Sequence, residues 1–302
     1  MTCDHSVLGG IYTQDAYFGQ NIFGQFHVHE AVRLTLAQGE KPGELRGGSE
    51  GRALCIGLGI GVVANALHAL GSTVDAIELD PVVVAYARRF FQMRVPNVYV
   101  EDAVNFIERA TNEVLSKRRA PYNFVVHDVF TGGAVPRTLF TEDTFRAIRS
   151  IMSEDSVLAV NFVGVTTNDV PVRSMWERLW PPSQSTSAAL AVWALWARLS
   201  DVFGYVRVFS DEHESSSVHN LVFFASDVPE RVQFRRSVER DYLDSGIRER
   251  ELLRFEAREI NIEKFAPSQS RHYMAKADSL FNIGQWVIAA EALANHSRSL
   301  FF

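Results

Sequence analysis

The chain has 302 residues, enough for one large α/β domain or for a domain with a sizeable appendage. Its 47% hydrophobic and 22% charged content is that of a globular protein, and a net charge of −6 gives no general attraction for a polyanion, so no nucleic-acid partner is expected. Two cysteines, Cys3 and Cys55, cannot build a disulfide framework, no apolar run reaches the roughly eighteen residues of a membrane span, and no basic-then-apolar leader opens the chain; a soluble, cytoplasmic protein without a membrane segment is expected.

Residues 1–50 form a lead-in, read as a lid on the pocket. In it, Tyr17 and Gln20 precede a helical stretch and are expected to pack. His27 and His29 look like a metal pair, but no further ligand cluster has suitable spacing, so no metal is expected. Ala53–Leu58 is a short apolar strand, with Cys55 as a small buried hydrophobe. Glycines 57, 59 and 61 then turn the chain into a helix over Val62–Leu70. Val74–Leu79 is a second strand, and Pro81 opens the next helix, where proline suits the first turn. Val98–Val100 is a third strand, followed by a helix led by Asp102 and running through Leu115. Tyr122–His127 and Ser156–Phe162 are the fourth and fifth strands, with a helix over Thr141–Met152 between them. Such alternation implies right-handed crossovers and a parallel sheet covered on both faces.

Beyond residue 163 the pattern loosens. Ala188–Leu199 reads as an apolar helix, and Val206–Phe209 and Val218–Ala225 as an antiparallel pair closing the sheet. Trp176, Trp180, Trp193 and Trp196 are read as core and interface residues. The main domain therefore spans 51–226, and residues 227–302 form a helical C-terminal extension. There Phe234, Val238 and Tyr242 recur at four-residue spacing, and Ile283, Trp286, Val287, Ala290 and Leu293 make a second stripe, suited to packing on the core or on a twin subunit.

The chemistry gathers at the carboxyl ends of successive strands, the edge where open α/β sheets bind ligands. Gly57, Gly59 and Gly61 follow strand one, Glu78 ends strand two, Asp102 follows strand three and Asp128 follows strand four. Glycines let the backbone approach a ligand, and an acid about twenty residues later can take both ribose hydroxyls, so a nucleoside-containing ligand is expected. Asp102 also suits a helix N-cap. His127 alternates to the opposite face of its strand from Asp128 and is read as a core residue.

These segments (GLGIGV at 57–62, IELDP at 77–81, EDAVNFI at 101–107 and HDVFTGGAVPRTLFTEDTF at 127–145, with the lead-in at 8–34) resemble the spermidine synthase-like branch of the class I S-adenosylmethionine (SAM)-dependent methyltransferases. The resemblance, over residues 8–225, implies a Rossmann-like seven-stranded α/β sheet, parallel except for a terminal antiparallel strand. It also implies that SAM or its decarboxylated form lies against the glycine turn, with Glu78 on the ribose and Asp102 and Ala103 at the adenine. Asp128, with Val129 beside it, would stand nearest the reacting centre and serve a small-molecule acceptor or a protein amine. A homodimer fits the same family.

The departures set the order of readings. Aminopropyltransferases carry an aspartate in the first turn that meets the amine of decarboxylated SAM; Ile60 stands there in this chain. Their second strand-four aspartate is replaced around Thr131 and Gly132. A buried ammonium needs a partner, so these losses remove much of the recognition of a diamine. Methyl transfer to an amine or hydroxyl, with Asp128 as the catalytic residue, is the first expectation. Aminopropyl transfer in polyamine synthesis is the second, and a non-catalytic scaffold the third.

Overall fold

In the computed structural model, which describes residues 1–3, 6–14, 18–41, 51–129, 136–165, 184–210 and 218–265, seven strands form a central sheet. They are β1 (Arg52–Ile56), β2 (Thr73–Glu78), β3 (Asn97–Val100), β4 (Tyr122–His127), β5 (Met152–Val165), β6 (Tyr205–Ser210) and β7 (Val218–Ser226). Their order is β3-β2-β1-β4-β5-β7-β6. The first five are parallel, and β7 lies antiparallel between β5 and β6. The expected parallel sheet with an antiparallel closing strand is present. Strand order reverses between β1 and β4, and that is where open sheets form a ligand crevice.

Residues alternate between the two faces of each strand, so two cores form. Leu54, Ile56, Tyr122, Val125, Leu158 and Val160 pack beneath α3 (Ala103–Leu115), α4 (Glu142–Ser150) and α5 (Gln184–Val202). Ala53, Cys55, Phe124, Val126 and Ala159 pack on the other side, against α1 (Val62–Ala69), α2 (Pro81–Phe90) and a 3₁₀ helix over Gly24–Leu34. Trp193 is buried in the first of these cores, and Trp196 packs at its margin. Trp176, Trp180, Tyr17, Thr131, Gly132 and the stripe from Ile283 to Leu293 lie outside the described residues.

Two local expectations change. The helix expected over Thr141–Met152 stops at Ser150: Thr141 caps it through Oγ1, and Met152 instead begins β5, paired with Tyr122. The four-residue spacing of Phe234, Val238 and Tyr242 is not a continuous helix, because only Glu239–Tyr242 turns helically. Phe234 is held on a β-bridge to Thr35, with its ring edge-on to Phe224 and Phe255 at centroid distances of 5.0 and 4.9 Å. Packing of aromatic edges against faces overrides the local period there.

Candidate functional site

Each residue singled out at a strand end is placed by the ladder beside it. Gly57 donates its amide to the Ile77 carbonyl (2.9 Å), Glu101 to the Glu78 carbonyl (3.2 Å) and Asp128 to the Ile56 carbonyl (2.8 Å). The ends of β3, β2, β1 and β4 therefore stand side by side, and the glycine turn, Glu78, Asp102 and Asp128 share one rim. Ala103 and Val129 follow Asp102 and Asp128 on that rim; Ala103 is buried and Val129 half-buried.

Gly57 has φ +88°, and a Cβ there would lie 2.0 Å from the Asp128 carbonyl oxygen. No side chain fits between these two strand ends, so glycine is required by backbone contact as well as by conformation. Gly59 and Gly61 also have positive φ, and Gly61 is the N-cap of α1. The Leu8 carbonyl lies 3.0 Å from where a Cβ of Gly59 would stand, and Gly9 sits directly on the Ile60 side chain. Ile60 is itself buried. A cavity of about 30 Å³ remains beneath the turn, lined among others by Leu8, Phe26, Gly57, Gly59, Val63 and Asp128. Leu8 and Gly9 thus cover the turn from outside.

The carboxylates differ in what holds them. Glu78 accepts from the Leu58 amide at Oε2 (3.2 Å) and from the Asp80 amide at Oε1 (3.1 Å), which points it along the rim. Asp102 caps α3 by accepting from the Val104 amide (2.7 Å), and its side chain is otherwise exposed. Asp128 is partly exposed, and its Oδ1 accepts from Asn161 Nδ2 (2.8 Å). On the Oδ2 side stands His29 Nδ1 at 3.8 Å.

Asn161 and His29 are the two residues that sequence reasoning did not place at this site. Asn161 comes from β5, one residue past Val160, which pairs with His127. Its signal was a lone amide in the apolar run Val160-Asn161-Phe162. His29 reaches the rim from the 3₁₀ helix and sits in a histidine-rich stretch that invited a metal reading. Among the described residues no group of three or more metal-binding side chains occurs. His27 Nδ1 instead pairs with Glu30 Oε1 (3.0 Å). Gln20 accepts a hydrogen bond from Ser245 Oγ (3.0 Å), a packing contact.

Burial sets the protonation of the surroundings. The Cys55 thiol is pushed up to about 12 by burial and then by the nearby Asp128, so it stays a neutral filler. Burial lowers His127 to about 4, against a smaller opposing effect of its hydrogen bond to the Leu139 carbonyl (3.0 Å). His127 is therefore neutral and tethers the Arg137–Phe140 turn to β4, in the core as its alternation implies. Burial alone would raise Glu30, but Arg248, His27 and Arg33 outweigh it and hold that carboxyl at about 2.

No family model matches the sequence. The chain is 31% identical over 265 residues to the N-terminal histidine N-methyltransferase of Emericella nidulans, covering 84% of this chain and 42% of that protein. It is 34% identical over 135 residues to the polyamine aminopropyltransferase of Vibrio vulnificus, covering 43% of this chain and 42% of the relative. The match therefore spans less than half of each of these two relatives. Among solved structures, human methyltransferase-like protein 13 in complex with SAH superposes with a TM-score of 0.48 at 18% identity, over 76% of this chain and 91% of that one.

Proposed function

We propose that this chain, a member of the spermidine synthase-like branch of the class I SAM-dependent methyltransferase superfamily, transfers a methyl group to a nitrogen at the N-terminus of a polypeptide. The rim has the parts such a ligand needs. The turn at Gly57 admits a close approach of backbone, Glu78 keeps acceptor capacity on both oxygens for the ribose hydroxyls, and Asp102 and Ala103 flank the adenine position. When bound, SAM supplies a methyl carbon already activated by its sulfonium. The protein's work is then to position the nucleophile, exclude water and receive a proton. Asp128 does the last of these: fixed by Asn161 on one oxygen, it accepts a hydrogen bond from the acceptor nitrogen and takes its proton. Leu8 and Gly9, lying on the turn, are the cover that the ligand displaces on entry.

The observation that carries methyl rather than aminopropyl transfer is Ile60. Where the polyamine enzymes place an amine-pairing carboxylate, this chain buries an isoleucine under Gly9. The relative that matches most of this chain, with its N-terminal histidine acceptor, supports the same choice. The match to the aminopropyltransferase keeps a second reading, transfer from decarboxylated SAM to a diamine.

The test is transfer of label from methyl-labelled SAM to a peptide beginning with histidine, beside the same peptide N-acetylated. Putrescine with decarboxylated SAM runs in parallel. Labelling of the histidine peptide alone supports the proposal. Product formed only from putrescine overturns it in favour of the second reading.

A further inference from the structure

We propose that His29 is a positioning residue for Asp128, holding the carboxylate from the side opposite Asn161. The inference rests on the reading above only in that Asp128 faces the acceptor. The His29 side chain is fully buried, and neither ring nitrogen has a hydrogen-bond partner among the described residues. Burying an imidazole with both nitrogens unpaired is unfavourable, so a residue kept this way needs a partner elsewhere in its working cycle. Asp128 Oδ2, at 3.8 Å from Nδ1, is the carboxylate it faces. That distance is too long for a hydrogen bond, but a movement of about 1 Å closes it.

The element carrying His29 is anchored on its far side. Glu30, the next residue, is fully buried and accepts from Arg248 Nε (2.8 Å), while His27 Nδ1 meets its other oxygen. Phe26 stands beside the imidazole, with ring centroids 6.5 Å apart. The helix that carries the ring is thus held through Glu30 by a charged contact reaching into the C-terminal region, and among the described residues the charged group facing the ring on the site side is Asp128. A carboxylate with a single fixed donor can still rotate. With a donor on each oxygen its plane is set, and the lone pairs left over point at the acceptor.

Two measurements on the full chain decide this. In ¹⁵N-histidine NMR spectra without added ligand, the His29 ring signals, assigned by their loss in His29→Gln, should move in Asp128→Ala while those of His68, in the last turn of α1, stay. Unmoved His29 signals overturn the proposal. In the methyl-transfer assay, His29→Gln should lower kcat about tenfold with the KM for SAM unchanged. The same change made in the Asp128→Ala background should cost less than twofold. An equal loss in both backgrounds means that His29 acts on the fold and not through Asp128, and overturns the proposal. If the wild type transfers no methyl group at all, the functional reading fails while the NMR measurement still decides the pairing.

Discussion

The two ends of the same sheet treat their carboxylates in opposite ways. At the amino end, Asp75 of β2 is saturated: Oδ2 accepts from Arg52 (2.7 Å), Arg119 (3.1 Å) and the Tyr122 hydroxyl (2.6 Å), and Oδ1 accepts from Asn97 (3.1 Å). At the carboxyl end, Glu78 is held by two backbone amides and Asp128 by one side-chain amide, with a buried imidazole just out of reach. Asp75 is buried, whereas Glu78 and Asp128 are partly exposed on the rim. Complete pairing marks the carboxylate that holds the fold. Incomplete pairing marks the carboxylates whose remaining lone pairs are available to a ligand.

Substitution should separate the two ends sharply. Asp75→Asn leaves Arg52 and Arg119 without their shared anion and should lower stability by about 3–5 kcal/mol, read from urea unfolding. Asp128→Asn should change stability by less than about 1 kcal/mol while lowering methyl transfer about a hundredfold. Comparable stability losses at both positions would erase the distinction. Acid gives the next largest effect. His127 titrates near 4 in the folded protein and near 6.5 when unfolded, so the unfolded chain binds the extra proton between those values. Stability is therefore full above pH 6.5 and should fall by about 3 kcal/mol as the pH drops to 4. In His127→Gln that slope should flatten.

Much of the rim was legible in the sequence because it is local. A strand, a turn and a helix fall within twenty residues from Ala53, and each acid follows its own strand, so Gly57, Glu78, Asp102 and Asp128 could be read in order. Asn161 and His29 could not. One reaches Asp128 by the pairing of β5 with β4, the other by a helix of the lead-in, about a hundred residues earlier in the chain, that packs on one face of the sheet. The same limit explains Phe234, whose spacing matches a helix but whose position is set by aromatic partners on β6 and β7. Local spacing fixed which residues end the strands; pairing between distant segments decided what stands next to them.

The smallest expected effect tests the double use of one side chain. Asp102→Ala should cost about 1 kcal/mol of stability through loss of the α3 cap. Asp102→Ser, which keeps a capping oxygen, should restore most of it. If adenine contact is the second role of Asp102, the weakened ligand affinity should persist in both variants.

The central claim is that Glu78 grips the sugar of a SAM-like ligand at this rim, and calorimetric titration of SAM tests it most directly. The account predicts saturable binding to the wild type and an affinity weakened at least about tenfold in Glu78→Ala, the change expected for lost hydrogen bonds to a charged group. Equal binding by the two proteins, or no binding by the wild type at millimolar ligand, would contradict it.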